Sequence, residues 1–523
     1  MIDQDAPQSL DRRSFLAGTG AAIAAATLPG QAGAQAARRG GTLRVSVARR
    51  PNHLNPLRHV NEAEYMLSEL MYSSLTRLGR DMRAIPDLAE SWQPNDTATQ
   101  WTFRLRAGAR FHDGSEVQAR DVVASYRAMF DPAVGSAAAR NVGPIERVEE
   151  VDARTVRVNL SSPYADLPVA VAYTNAKILP AAVIDRNLAE SETRDFGSGP
   201  FKLKTFDAGR ICAVERFDGY FLQGKPLLDG VEQVVYPDAN AEVAAFLNKA
   251  TDLLLEVPQP DFDRVKGSAG VDALRTPSGR YPNLVLGCDT PPFNDPRVRE
   301  ALALAIDREQ VLALVLEGFG QAAFDNPVSP AYRFYKETPQ AARNAQRARQ
   351  LLAEAGHPNG LEVTLVAANS PSIREKLAVT VRELARPAGF RINVQVMPYD
   401  TYLSQVWRKG NFYVGFYNMQ PTVDGLLKLL YTSDAAWNET RWNNTAFDAL
   451  VNQARATTDD ARRAQLYAQA QELIVREHPA IVPCFMDLLA AKWNYVRDYQ
   501  HHPRGAVYFL EEVWLAVGAP RRG

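Results

Sequence analysis

The stretch from residue 84 to residue 132 constrains the fold of this chain more than any other part of the sequence. Within it, Trp101, Phe103 and Leu105 alternate with polar residues, which is the period of a β-strand with one buried face. Gly and Asp residues then mark turns, and an Asp-Pro pair ends the stretch. Between them, apolar residues recur at helical spacing: Val122, Val123, Tyr126, Met129 and Phe130. The stretch therefore predicts a strand, a loop and a helix, without a reactive group of residues.

Length and charge set the class of protein. The chain has 523 residues, enough for two or three domains. Its 59 basic and 60 acidic residues give a formal net charge of −1, and no long block of like charge is present. We therefore expect a soluble globular protein with no nucleic-acid partner.

The three cysteines, Cys212, Cys288 and Cys484, are widely spaced and odd in number. This excludes a dense disulfide framework, and the chain contains no CxxC motif. The simplest interpretation is that all three are small buried apolar side chains, and one long-range disulfide is the alternative.

The amino terminus resembles a twin-arginine export signal. Arg12-Arg13 precedes an uncharged run over residues 15–28, which is shorter than the roughly 20 residues that cross a bilayer. Two A-x-A sites follow, so we expect residues 1–36 to be a signal peptide that is cleaved between Ala34 and Ala37. No cysteine lies nearby, and a lipid anchor is not expected. The predicted location is the periplasm.

Further along the chain, short segments in which apolar and polar residues alternate are followed by segments in which apolar residues recur at helical spacing. Leu361, Val363 and Leu365 alternate as in a strand, a helical stripe begins at Ile373, and Ile392 opens a second alternating run. A strand, helix and strand at this spacing predict a parallel βαβ crossover. The pattern as a whole predicts an α/β or α+β protein with more than one domain.

Two long segments carry a resemblance to a known family. The pieces PDLAESW, WTFRLRAGARFHDGSEV and ARDVVASY lie within residues 84–132, and PPFNDPRVREALALAIDRE begins at Pro291. These pieces are similar to the large extracytoplasmic solute-binding proteins of ABC importers, the family that includes dipeptide, oligopeptide and nickel binders. The resemblance covers residues 40 to 515.

The resemblance implies an α/β, bilobal, periplasmic-binding-protein-like fold of type II with an extra subdomain in the first lobe. The first lobe would span residues 37–283, with the inserted subdomain at about 60–185. Residues 284–487 would form the second lobe, and residues 488–523 would return to the first. The Gly197-Ser198-Gly199-Pro200-Phe201 element, which lacks phosphate-loop spacing, would cross between subdomains.

The resemblance also implies a function. The protein would be a monomer that captures a small polar ligand by closing two lobes, and it would deliver this ligand to inner-membrane ABC permease subunits. A di- or oligopeptide is the commonest ligand in the family. An exported hydrolase, a periplasmic chaperone or sensor, and a metal-chelate binder are the alternatives.

No catalytic or metal motif supports an enzyme. The chain contains no HExxH, GxSxG or Walker motif, so we assign no catalytic residue. His501 and His502 are adjacent, and neighbours on a strand point to opposite faces, so we assign no metal ligand either. We expect ligand binding without a cofactor.

The predicted ligand site centres on residues 405–444, where aromatic and amide residues are concentrated. Ligand clefts combine rigid apolar walls with a few oriented polar groups, and this mixture supplies both. The candidate ligand-binding residues of this segment are Arg408, Tyr413, Tyr417, Asn418, Asp424, Trp437, Asn438 and Trp442.

Two charged candidates are implied by the resemblance. Arg374 falls where dipeptide-binding relatives place an arginine for the ligand carboxylate, and a guanidinium can hold a carboxylate with two parallel hydrogen bonds. Peptide-binding relatives also place an acid before a Pro-containing turn to pair with the peptide ammonium. Here Tyr417 occupies that position, and Asp424 is the nearby acid.

Overall fold

The computed structural model describes residues 37–339, 342–505 and 508–520. The predicted signal peptide lies outside the described residues. Within the described ranges, no helix combines the length and the apolar character that crossing a membrane requires.

The chain alternates strands and helices throughout. The strands are β1 (Thr42–Val47), β2 (Thr76–Leu78), β3 (Ala84–Pro86), β4 (Ala89–Pro94), β5 (Gln100–Leu105), β6 (Ile145–Asp152), β7 (Thr155–Leu160), β8 (Phe201–Asp207), β9 (Ile211–Arg216), β10 (Gly230–Val235), β11 (Leu253–Leu254), β12 (Val271–Leu286), β13 (Gly320–Ala322), β14 (Leu361–Ala368), β15 (Phe390–Met397), β16 (Phe412–Tyr417), β17 (Ala480–Ile481), β18 (Cys484–Trp493), β19 (Val496–Arg497) and β20 (Trp514–Leu515). The α-helices are α1 (Glu62–Met71), α2 (Ala119–Phe130), α3 (Ala138–Asn141), α4 (Leu167–Ala170), α5 (Ala181–Asn187), α6 (Ala239–Leu247), α7 (Phe262–Lys266), α8 (Pro296–Ala305), α9 (Arg308–Leu316), α10 (Ala345–Glu354), α11 (Ile373–Ala385), α12 (Tyr399–Gln405), α13 (Val423–Leu430), α14 (Thr445–Ala456) and α15 (Asp460–Glu477).

One sheet runs through both lobes. Its main path is β15-β14-β16-β12-β18-β11-β1-β10-β9-β8, and β13 and β17 pair at its side. The antiparallel pair β12 and β18 lies at the centre and carries the chain from the first lobe to the second and back. The lobe boundary predicted at residue 283 falls inside β12.

Parallel strands form the part of each lobe that borders the crossing strands. In the first lobe β1 pairs in parallel with β10 and β11, and in the second lobe β14 pairs in parallel with β15 and β16. Strands β14 and β15, with α11 between them in the chain, form the βαβ crossover that the sequence predicts. Ligands of open α/β sheets bind outside the carboxyl ends of such strands.

Residues 84–132 form the centre of an inserted subdomain. The alternating residues of this stretch make β5, whose Trp101, Phe103 and Leu105 are buried, and its helical stripe makes α2. β5 pairs with β4 and β7 in a separate antiparallel sheet of order β4-β5-β7-β6. The prediction of a strand, a loop and a helix is confirmed.

Helix α1 ends at Met71, although the apolar pattern of the sequence continues to Leu75. The carbonyl oxygen of Met71 accepts a hydrogen bond from the backbone N–H of Gly199, with an N···O distance of 2.9 Å. A Cβ atom at Gly197 would lie 1.8 Å from that same oxygen, so only glycine permits this approach. The Gly-rich crossing segment therefore lies directly on the end of α1, where it has a structural role.

Each lobe has its own apolar core, and a third cluster joins the inserted subdomain to the second lobe. The third cluster packs Leu78, Met82 and Val169 against second-lobe residues that include Tyr332. The three cysteines are free thiols, of which Cys212 and Cys484 are buried and Cys288 is half-buried. The interpretation of the cysteines as small apolar side chains is confirmed for the two buried ones.

A fully buried ion pair lies in the second lobe. Arg308 at the start of α9 donates from Nη2 to Oδ2 of Asp325 at 2.6 Å, and both side chains are buried. Nδ1 of His478, at the end of α15, lies 3.1 Å from the same oxygen. Burial alone would raise the pKa of Asp325, but Arg308 and His478 hold it below its usual value.

Candidate functional site

A cavity of about 450 Å³ lies where the carboxyl ends of the first-lobe strands face the crossing strands. It is bounded by Ala48 after β1, by the first turn of α6, by residues 255–259 after β11, and by Arg280 and Met486 of the crossing strands. Its volume is within the usual range for small-ligand sites. We call it the interlobe cavity.

The charged lining of the interlobe cavity is mostly acidic. It contains the carboxyl groups of Glu62, Glu242, Glu256 and Asp487, and one arginine, Arg280. Arg280 Nη1 lies 3.6 Å from Oε1 of Glu256, and Asp487 forms an ion pair with Arg275. Among the described residues, these pairs leave Glu62 and Glu242 without a cationic partner.

Glu242 is the carboxyl group of this set that is most affected by its surroundings. Burial in the first turn of α6 raises its pKa to about 7, and the nearby carboxylates of Glu256 and Asp238 add to this effect. Burial also lowers the pKa of His501 to about 4, so this ring is neutral at pH 7. A cationic group placed in the cavity would relieve the crowding of negative charge.

Arg374 holds a positive charge at the carboxyl edge of the second-lobe sheet. It lies in the first turn of α11, directly after β14, and it is 6% exposed. Its guanidinium carbon lies 5.2, 5.1 and 5.8 Å from the ring centroids of Tyr399, Tyr402 and Phe416. Nη1 donates to the Ser370 carbonyl at 3.0 Å, and Nε has no hydrogen-bond partner among the described residues.

The carboxyl group of Glu439 is buried beside this arginine. Burial raises its pKa to about 7, while the nearby polar groups of Tyr417, Tyr413 and Trp407 and the charge of Arg374 act in the opposite direction. The raised pKa favours the neutral form of Glu439, and Arg374 forms no ion pair with any described carboxylate. A buried arginine without a paired acid is suited to hold an anionic group.

Trp437 is the aromatic side chain of the predicted segment that is most open to solvent. It is 37% exposed. Its ring lies edge-on to Trp407, with 5.5 Å between centroids, and 6.5 Å from the ring of Tyr417. These three rings form an aromatic wall beside Glu439.

Three other candidates from the sequence have partners within the second lobe. Trp442 is 4% exposed and donates from Nε1 to Glu477 at 2.9 Å. Asp424 is buried and pairs with Arg455 at 2.7 Å. Asn438 donates from Nδ2 to the carbonyls of Thr432 and Trp442. These contacts stabilise the second lobe, so we leave these three residues out of the ligand site proposed below.

The remaining candidates differ in exposure. Tyr413 is fully buried, and its hydroxyl accepts a hydrogen bond from the backbone N–H of Arg408 at 2.9 Å. The side chain of Arg408 is exposed, and so is Asn418 at the end of β16. The structure brings Arg374, Tyr413, Tyr417 and Trp437 together around Glu439, with Asn418 next to Tyr417.

Sequence reasoning missed the acidic residues of both lobes. Glu62, Glu242 and Arg280 are far apart in the chain, and no local pattern connects them. Glu439 lies inside the predicted segment 405–444, and its signal was available: it is an acid among aromatic and amide residues. Asp424 was selected instead because it is closer to the Pro-containing turn.

Two lobes joined by crossing strands, with a cavity between them, define the architecture of a periplasmic binding protein. The family model of bacterial extracellular solute-binding proteins, family 5, matches residues 83–440. The chain belongs to this family. It is a family 5 solute-binding protein of ABC importers, a group that binds peptides or related ligands.

Individual relatives agree with this assignment. The chain is 27% identical over 509 residues to the oligopeptide-binding protein AppA of Bacillus subtilis strain 168, covering 91% of this chain and 92% of AppA. The structure of the binding protein AgaA of A. tumefaciens R10 in complex with agropinic acid is 26% identical, with a TM-score of 0.72, over 91% of this chain and 99% of AgaA. The unliganded open form of the murein tripeptide-binding protein MppA shares the fold at 21% identity and a TM-score of 0.82, over 92% and 98% of the two chains.

Proposed function

We propose that this protein is exported to the periplasm as an unlipidated monomer and captures a solute that carries a free ammonium group, such as a peptide. The ammonium group binds in the interlobe cavity beside Glu242, and Arg374 holds the carboxylate at the other end. Closure of the lobes removes the solute from water, and the loaded protein delivers it to an inner-membrane ABC permease.

The observation that carries this proposal is the charge of the interlobe cavity. A buried carboxyl group with a raised pKa, next to further carboxylates and without a cationic partner, binds an ammonium group favourably. The names of two relatives, an oligopeptide-binding protein and a binding protein in complex with agropinic acid, are consistent with amine-bearing or acidic solutes.

The test is a set of matched peptides measured by isothermal titration calorimetry. Tetra-alanine, its N-acetyl form and its C-terminal amide differ in one terminal charge each. We expect the N-acetyl form to bind at least tenfold more weakly than tetra-alanine. Equal affinity for both would refute the ammonium site. Mass spectrometry of the ligands that co-purify from the native periplasm would then identify the natural solute.

Binding of the free-amine peptide is expected to depend on pH through Glu242. Its pKa of about 7 in the free protein means that lowering the pH from 7 to 6 protonates the group and removes the negative charge. Affinity should therefore fall by about fivefold over this interval, and the Glu242→Gln variant should bind weakly and with little pH dependence. If the affinity of the Glu242→Gln variant depends on pH as strongly as that of the wild type, a group other than Glu242 is responsible for the pH dependence.

Export is expected to need the arginine pair at the amino terminus. Replacing Arg12 and Arg13 with lysine should leave the precursor in the cytoplasm, because the twin-arginine receptor reads this pair. Cell fractionation and immunoblotting measure the distribution. A normal periplasmic yield of the double variant would exclude the twin-arginine route.

A further inference from the structure

A second cavity lies where the inserted subdomain, the chain segment before residue 505 and the second lobe meet. Its volume is about 380 Å³. Arg140 and Tyr173 line it from the side of the first lobe, Gln420 and Lys428 line it from the second lobe, and Arg504 lies between them. We call it the junction cavity.

The junction cavity has an excess of positive charge after its internal ion pairs are formed. Lys428 pairs with Asp434 at 2.7 Å, and Arg455 pairs with Asp424 at 2.7 Å. The other two cations of the lining, Arg140 and Arg504, form no ion pair with any described residue. The net charge of the junction cavity lining is therefore positive, whereas that of the interlobe cavity lining is negative.

Arg504 is half-buried, and the carboxylates of Glu62 and Glu69 act on it without forming an ion pair. Its Nε donates to the carbonyl oxygen of Met419 in the second lobe at 3.1 Å. Tyr332 and Tyr173 also act on it, and both are neutral at pH 7, since burial raises pKa values that already lie well above 7. Removal from water without a paired acid lowers the pKa of Arg504. The guanidinium is thus a cation without a directly paired carboxylate among the described residues.

The amino end of α13 faces the same space. Pro421, Thr422 and Gly425 line the junction cavity, and Thr422 caps the helix by accepting the N–H of Gly425. The amino end of a helix carries partial positive charge, which adds to that of the two arginines.

We propose that the junction cavity binds an oxyanion group, a carboxylate or a phosphate, between Arg140 and Arg504. The group comes either from an acidic side chain of the transported solute or from a separate inorganic anion. In both cases it joins the inserted subdomain to the second lobe. This site is independent of the proposed ammonium site, since the two cavities are lined by different residues.

Inorganic phosphate is the first probe, added at constant ionic strength with chloride as the reference. We expect phosphate to raise the melting temperature of the wild-type protein, and we expect Arg140→Gln and Arg504→Gln to weaken its binding at least tenfold. Arg140 is exposed and its replacement does not affect the core, so this variant remains informative if Arg504→Gln folds poorly. Arg147→Gln is the matched control, because Arg147 is an exposed arginine of the same subdomain outside the cavity lining.

The second arm distinguishes the two sources of the anion. Tetra-alanine is compared with the peptide in which its third alanine is replaced by glutamate. If the glutamate peptide binds more tightly to wild type and this gain is lost in Arg140→Gln, the anion belongs to the solute. If both peptides bind equally and phosphate binds in their presence, the anion is separate. The proposal is overturned if phosphate has no effect on the wild type, or if Arg140→Gln responds to it as Arg147→Gln does.

Discussion

Replacing Asp325 with alanine is expected to lower the free energy of unfolding by about 3–5 kcal/mol, the usual result of breaking a buried ion pair from one side. The substitution leaves the guanidinium of Arg308 buried without its carboxylate, and it also removes the partner of His478. Urea unfolding followed by circular dichroism measures the change.

The control for this substitution is the exposed pair of Lys376 and Glu317. Their atoms lie 3.1 Å apart, but both side chains are 46% exposed. Water screens such a pair, so Glu317→Ala should change stability by less than about 1 kcal/mol. Similar losses in the two variants would show that burial of Arg308 and Asp325 does not set the strength of their interaction.

Replacing Arg374 with alanine is expected to weaken the binding of peptides with a free carboxylate by about 1.5–3 kcal/mol, the scale of a hydrogen bond to a charged group. This corresponds to a roughly tenfold to hundredfold loss of affinity. The reason is that Arg374 is a buried cation with an unpartnered Nε and no paired acid. Calorimetry with tetra-alanine measures the loss. The Arg374→Ala variant should bind the C-terminal amide of this peptide almost as well as it binds tetra-alanine itself.

Arg382→Ala is the matched control on the same helix. Arg382 is exposed and contacts Glu383 at 2.8 Å, so its removal should leave affinity unchanged. If Arg374→Ala binds tetra-alanine as tightly as the control does, then Arg374 has a structural role, packing between the rings of Tyr399, Tyr402 and Phe416.

The fold could be predicted from the sequence wherever residues close together in the chain determine the local structure. The alternation of Trp101, Phe103 and Leu105 identifies β5 because one face of this strand is buried and the other is not. The position at which α1 ends could not be predicted in the same way. It depends on contact with Gly197 and Gly199, which are distant in the chain.

The candidate site was harder to predict from the sequence than the fold, for a physical reason. Aromatic and amide residues are common in apolar cores as well as in ligand sites, so composition alone selected both Trp437, which is exposed, and Trp442, which donates to Glu477 in the core. The acidic lining of the interlobe cavity depends on topology. Glu62 in α1 and Glu242 in α6 are far apart in the chain but line the same cavity, and β1 and β10, the strands that precede these helices, are neighbours in the sheet.

The continuous sheet limits how the two lobes can move. Because β12 and β18 are hydrogen-bonded to each other along the crossing, the lobes are joined by a ribbon and not by two independent tethers. A change in the angle between the lobes must therefore twist or bend this ribbon. The regular pairing of this ribbon is interrupted between Pro277 and Arg280, where the register shifts. Arg280 also lines the interlobe cavity, so the stiffness of the joint and the occupancy of the cavity depend on the same few residues.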